Sequence, residues 1–197
     1  ATVLMNGVLF KGKRVATYPG GADAMPNPNA TKTGYYLRKF LNENVNIQTG
    51  GGSDGHVVPL FRLAEIYLNY AEALNEYDPT NPDIAVYLNK IRERVSLPDV
   101  PSGLTQEQMR TLIHHERRVE LAFEEHRFWD VRRWKVASST LGAPVKGVKI
   151  TQDDAGNFTY SPVQVEQRVF QPKMYWYPIP QSELLKLTKW EQNNGWN

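Results

Sequence analysis

Glu116 and Glu120 stand one helical turn apart in the stretch TQEQMRTLIHHERRVELAFEEHRFWDVRRWK, Thr105 to Lys135. Paired carboxylates are the equipment of glycoside hydrolysis, one acting as acid and the other as base or nucleophile. His114 and His115 lie beside them and raise metal chemistry as a second option. The spacing argues against the metal: an H-E-x-x-H zinc site needs its second histidine where Val119 stands. Val119 also follows Glu116 by three, so the Glu-x-x-His pair of a di-iron site is missing. For hydrolysis, both carboxylates would have to face a wet cleft. Met109, Leu112, Ile113, Glu116, Glu120 and Phe123 instead recur at three- and four-residue spacing, which puts the two acids on the apolar face of one helix.

A buried, unpaired carboxylate costs several kcal/mol, so each needs a cationic, hydrogen-bonding partner. The stretch supplies them: it holds six of the chain's twelve arginines, Arg110, Arg117, Arg118, Arg127, Arg132 and Arg133, and one lysine, Lys135. The planar guanidinium fork pairs bidentately with carboxylate and tolerates burial better than ammonium. The expectation is a structural ion-pair network of Glu116 and Glu120 with Arg117, Arg127, Arg132 and Arg133, and no catalytic residue.

Other chemistries find less support. The chain has no cysteine, hence neither disulfides nor thiolate metal sites. A formal net charge of +2 with interleaved acids and bases is not a nucleic-acid footprint. There is no glycine-rich phosphate loop and no G-x-S-x-G elbow. The four histidines, His56, His114, His115 and His126, read as structural or solvent-facing. Asp153-Asp154-Ala155-Gly156-Asn157 could offer oxygens to calcium, but its spacing fits no dedicated calcium loop, so it reads as a hairpin turn. No segment approaches the roughly 18 uninterrupted apolar residues of a membrane span.

The elements that must position these residues can be read in order. Residues 1–57 carry nine of the fourteen glycines and read as loops with short strands, VLFKGKRVATY and GYYLRKF, broken at Gly20-Gly21 and Gly50-Gly51-Gly52. Asn27, Asn29, Asn42, Asn44 and Asn46 add turn character. Pro59 opens a helix over about 60–77, with Arg62, Glu65, Asn69, Glu72 and Glu76 on a narrow polar stripe and an otherwise apolar, largely buried circumference. A second helix spans about 82–95, capped by Asn81, with Ile84, Leu88, Ile91 and Val95 inward. Thr105 and Gln108 form a capping box that starts a third, about 106–123. A turn at Glu124–His126 leads into a fourth, about 127–135, clamped by Phe128, Val131 and Trp134. A β-hairpin occupies about 145–170, followed by a short aromatic strand at Met174–Tyr177, a short helix from Ser182 to near Leu187, and a tail packed through its tryptophans. The first helical pair has tetratricopeptide-like form.

Three blocks carry a resemblance. HERRVELAFEEHRFWDVRRW (His115–Trp134) resembles the C-terminal signature of the SusD/RagB family, and RLAEIYLNYAEALNE (Arg62–Glu76) before it and YWYPIPQSELLK (Tyr175–Lys186) followed by QNNGW after it support the match. Its members are nutrient-binding outer-membrane lipoproteins of Bacteroidetes. The match departs at Glu125, where the family usually has glycine, and in Asn-Asn-Gly-Trp, where Asn-Pro-Gly-aromatic is common. The resemblance implies a mainly α fold with some β: tetratricopeptide-like helical hairpins, a C-terminal β-hairpin and long irregular loops. It implies that 58–197 is the C-terminal domain of a longer protein, lipid-anchored on the cell-surface side of the outer membrane, and that Ala1 is a cut rather than a start. It implies a binding role without a cofactor: a glycan or other nutrient as ligand, and a SusC-like TonB-dependent transporter as partner. A carbohydrate-active hydrolase and a helical-repeat peptide adaptor are the alternatives. Flat aromatic side chains suit half-wet sugar sites, and Tyr18, Tyr35, Tyr36, Trp176 and Trp190 are the candidates for ligand contact.

Overall fold

Three helices fill one of the two units into which the chain divides, Gly55–Arg127. The other unit joins Ala1–Asp54 to Phe128–Asn197. The computed structural model describes residues 2–45, 59–186 and 189–196. Gly50-Gly51-Gly52, Asn46, His56 and Leu187 lie outside the described residues. The fold is mainly helical with some sheet.

Helix α1 runs Leu63–Tyr77, α2 Asp83–Glu93 and α3 Gln106–Glu120. Leu68 and Ala71 of α1 meet Ile84, Leu88 and Ile91 of α2, with Ile113 of α3 and Leu121 closing the cluster. Fully burying one such aliphatic side chain is worth about 2 kcal/mol, and the small Ala71 lets the helices approach. The capping box forms: the Thr105 hydroxyl accepts the Gln108 N–H at 3.3 Å, and the Gln108 side chain accepts the Thr105 N–H at 2.9 Å. Asn81 behaves similarly, accepting the Asp83 N–H at 3.1 Å. Asn75 is fully buried and ties α1 to α3, donating to the Gln106 carbonyl while the Gln106 amide donates to its own.

Several boundaries differ from the sequence reading. α1 begins at Leu63 rather than near 60, because Arg62 has an extended backbone (φ −148°, ψ 162°). Leu60 and Phe61 fall outside the helix and are exposed. Nor is the rest of α1 buried all round: Leu63, Ile66, Tyr70 and Tyr77 form an exposed apolar edge. α2 ends at Glu93, so Val95 leaves the inner stripe and is exposed. α3 stops at Glu120, and Phe123 adopts φ +64° in the following turn, exposed rather than on the core face.

In the second unit, β1 (Val3–Leu4) pairs antiparallel with β4 (Tyr36–Leu37). The stretch VLFKGKRVATY is not one strand but a hairpin, β2 (Leu9–Phe10) and β3 (Lys13–Arg14). Lys11 and Gly12 turn between them at φ +49° and +74°, the left-handed pair that a two-residue hairpin loop requires. Helix α4 (His126–Arg133) and the unforeseen α5 (Ala137–Thr140) precede the long hairpin of β5 (Val145–Gln152) and β6 (Phe158–Glu166), in register at Val148↔Pro162 and Ile150↔Tyr160. The N-terminal segment is stitched onto β5, which explains why it groups with the C-terminal residues. The Val148 N–H donates to the Thr33 carbonyl at 2.9 Å, and Gly34, at φ +79°, lies where a Cβ would come within 2.8 Å of the Val148 carbonyl oxygen. The expected strand at Met174–Tyr177 is a 3-10 helix, Pro172–Tyr175, and α6 spans Gln181–Leu184. Pro172 at its start favours the helical φ over a ladder position.

Candidate functional site

The polar stripe of α1 meets α3 and the turn after it rung by rung. Arg62 anchors one end: its Nη1 donates to Glu120 at 2.6 Å, while its Nε and Nη2 grip both oxygens of Glu124 at 2.8 Å. Its Nη2 also reaches the Glu120 carbonyl at 2.7 Å. The Nε2 of His126 lies 3.5 Å from Glu65. Arg117 Nη1 donates to Asn69 Oδ1 at 2.6 Å. The Nε2 of His114 lies 3.8 Å from Glu72, and Arg110 grips Glu76 through Nε and Nη2, each at 2.6 Å. From α2 and the residue after it come two further guanidiniums. Arg92 bonds the buried Glu116, and Arg94 Nη2 reaches Glu120 at 2.7 Å.

The electrostatics follow from these contacts. Hydrogen bonds donated to Glu124, then to Glu120, push the Arg62 guanidinium further above its already high pKa. The Arg110 fork holds the Glu76 carboxyl below its ordinary 4.5. Glu116, Glu120 and Glu124 are largely shielded from water, with side-chain exposures of 11%, 12% and 6%. A carboxylate closed off by a guanidinium fork is a poor proton shuttle and a good strut.

Glu116 and Glu120 point inward, and guanidiniums from outside the stretch, Arg62, Arg92 and Arg94, hold them. Arg132 belongs to the other unit and pairs with no carboxylate among the described residues. Its guanidinium stacks 3.5 Å from the centroid of Phe128 and 5.4 Å from that of Phe170, donating to the carbonyls of Phe128 and Met174. Arg133 bonds Asp130 within α4 at 2.9 Å, because residues three apart on a helix are neighbours. Arg127 is half-buried at the start of α4. Spacing along one helix could mark the carboxylates as needing cations; which cations arrive is a matter of how α1 and α2 pack.

The aromatic candidates do not converge. Tyr36 is pinned as a structural group, its hydroxyl donating to the Asp23 carbonyl at 2.7 Å and accepting the Thr31 N–H at 3.2 Å. Tyr18 packs on Phe158 with ring centroids 5.1 Å apart. Tyr35 and Trp190 are exposed, and Trp176 is exposed with the Lys135 ammonium 4.9 Å from its ring. Among the described residues these five make no ring contact with one another. One exposed group of rings outside the five candidates is Phe128, Trp129 and Tyr177, with centroid separations of 5.0, 6.2 and 6.4 Å. Trp129 and Tyr177 are both more than half exposed. Only the adjacent pair Phe128-Trp129 hinted at this cluster in the sequence.

Asp153 closes the β5–β6 turn, accepting the Asn157 backbone N–H at 2.8 Å and its side-chain amide at 3.1 Å; these bonds hold its carboxyl below the usual range. Among the described residues no three histidine or acidic side chains gather in a way that could hold a metal ion. No described helix is long and apolar enough to cross a membrane.

A helical hairpin with an arginine–glutamate lock, a third helix and an attached β-hairpin define a class of proteins, and comparison identifies it. The SusD family model matches residues 2–196, and the chain belongs to the SusD family. It is 36% identical over 126 residues to SusD-like protein P2 of Formosa agariphila, covering 60% of this chain and 24% of that protein. It is 40% identical over 106 residues to SusD-like protein P25 of the same organism, covering 51% of this chain and 19% of that one. The crystal structure of a SusD-like protein from Bacteroides fragilis superposes with a TM-score of 0.84 at 31% identity, covering 98% of this chain and 37% of that one. The chain thus spans about a quarter or less of the length of these curated relatives.

Proposed function

We propose that this chain is the C-terminal structural part of a glycan- or nutrient-binding component of an outer-membrane uptake system, working with a SusC-like TonB-dependent transporter. The observation that carries the reading is the family match across residues 2–196. In the parent protein, anchored by lipid at the cell surface, ligand is captured and handed to the transporter with no bond made or broken. The helical unit acts as scaffold: its carboxylates are tied to guanidiniums, which disfavours the hydrolase alternative. The exposed Phe128, Trp129 and Tyr177 offer the flat, amphipathic faces that sugar rings stack upon.

The test uses the native full-length protein from its source cells. Retention in polysaccharide-loaded gels and co-purification of an outer-membrane transporter are expected, without release of reducing sugar. Absence of both retention and co-purification would refute the reading; reducing-sugar release abolished by Glu116→Gln would replace it with the hydrolase.

A further inference from the structure

A groove of about 790 Å³ opens beside the β2–β3 hairpin, within the second unit, and Phe128, Trp129 and Tyr177 are not among its lining residues. Its volume is in the range of pockets that bury small organic ligands, roughly 300–1,000 Å³. The hairpin lines it with Phe10, Lys11, Lys13 and Arg14, and Asp23, Glu43 and Asn44 complete the polar lining.

The charges are unequally engaged. Glu43 is tied down twice, by Arg38 Nη2 at 2.5 Å and by the Lys11 backbone N–H at 3.4 Å. Those contacts, the Arg38 bond foremost, hold its carboxyl below the usual range. Asp23 accepts the Ala16 N–H at 2.9 Å. The cations keep capacity to spare. Arg14 uses Nη1 on the Gly7 carbonyl, one of the five N–H donors a guanidinium carries. Lys11 donates to the Val45 carbonyl. Lys13 is exposed and makes no ion pair or hydrogen bond among the described residues. Three cations face two carboxylates, one of which Arg38 already neutralises, so the groove is net positive. Phe10 offers a half-buried ring, and the exposed Asn44 side chain is free to meet a hydroxyl.

We infer that this groove is a subsite for an anionic saccharide, its carboxylate or sulfate held by Lys13 and Arg14, its ring face against Phe10 and a hydroxyl on Asn44. This rests on the glycan-binding reading above and adds the charge class of the ligand. An ammonium with no partner among the described residues is the group a ligand anion meets without breaking an existing contact. The near-neutral chain as a whole and only three cations in the groove make a nucleic-acid backbone a poor fit.

Isothermal titration of the 197-residue chain tests this, with hexagalacturonate for carboxylate, a carrageenan hexasaccharide for sulfate, cellohexaose as the neutral sugar and hexaglutamate as the anion without sugar. One or both anionic saccharides should bind, which identifies the anion, with cellohexaose and hexaglutamate at least about tenfold weaker. Lys13→Glu, at an exposed position whose side chain has no partner among the described residues, should weaken the anionic saccharide about tenfold or more while the thermal unfolding curve stays in place. Arg14→Gln should weaken it about fivefold. Equal binding of cellohexaose, equal binding of hexaglutamate, no binding of any probe, or wild-type affinity in Lys13→Glu each overturns the subsite. The wider reading is decided separately: gel retention of the native protein that survives Lys13→Glu removes the groove and leaves that reading standing.

Discussion

Replacing Arg92 by methionine should cost about 3 kcal/mol of stability, because it strands a carboxylate in the helical unit. Arg92 and Glu116 have side-chain exposures of only 15% and 11%. Deleting one partner of such a pair leaves an uncompensated charge, and the penalty runs to about 3–5 kcal/mol; the residual exposure places this pair at the lower end. Arg92→Met also removes the bond from Arg92 Nε to the Pro98 carbonyl at 2.6 Å, worth about 1 kcal/mol. Glu116→Leu alone should cost about 2–3 kcal/mol by leaving Arg92 unpaired. The double variant Arg92→Met/Glu116→Leu has no stranded charge and sets leucine close to Ile113, so it should fall within about 1 kcal/mol of wild type. Urea unfolding followed by far-UV circular dichroism is the suitable assay. It reads the three long helices of the unit, whereas all five tryptophans lie at 128–197. Single variants that each shift stability by under about 1 kcal/mol, or a double variant that loses the sum of the singles, would refute the reasoning. The first result would mean that the pair is wet, the second that the two residues act independently.

Arg62→Met removes the guanidinium shared by Glu120 and Glu124 and should cost about 3 kcal/mol in the same assay, whereas Arg132→Met, which frees no carboxylate, should cost about 1 kcal/mol through lost ring stacking. Glu125 holds φ +65° with an L side chain, so Glu125→Gly should raise stability by about 0.5–1 kcal/mol; a loss would show that the carboxylate has a role beyond the turn. Glu76→Gln tests the Arg110 pair through pH. Its folded carboxyl titrates below the ordinary 4.5, so the stabilisation is fully present above that value and disappears as pH falls through the depressed one. The half-exposed pair is worth about 0.5 kcal/mol, so Glu76→Gln should be that much less stable at neutral pH and match wild type in acid; a gap unchanged in acid would exclude the ion pair as its cause.

What one helix can encode was legible before any coordinates. The Thr105–Gln108 box, the inward Ile113 and Glu116, and the Glu65–Glu76 stripe follow from side-chain periodicity, a local property of 3.6 residues per turn. The long hairpin could be read from its β-branched strands and Asp-Asp-x-Gly-Asn turn. Where the chain leaves a helix was less legible: Arg62 is extended because its guanidinium is drawn to residues about sixty positions away, Glu120 and Glu124.

Family and fold class were therefore determined by the sequence itself, since block order, periodicity and capping are written in neighbouring residues. Tertiary structure alone decided the rest. It chose Arg62, Arg92 and Arg94 over Arg132 as counter-ions, gathered Phe128, Trp129 and Tyr177 into one exposed cluster, and left the Lys13 ammonium without a partner among the described residues. Each depends on segments far apart in the chain meeting in space, and ion pairing and ring stacking act over a few ångströms whatever the sequence separation.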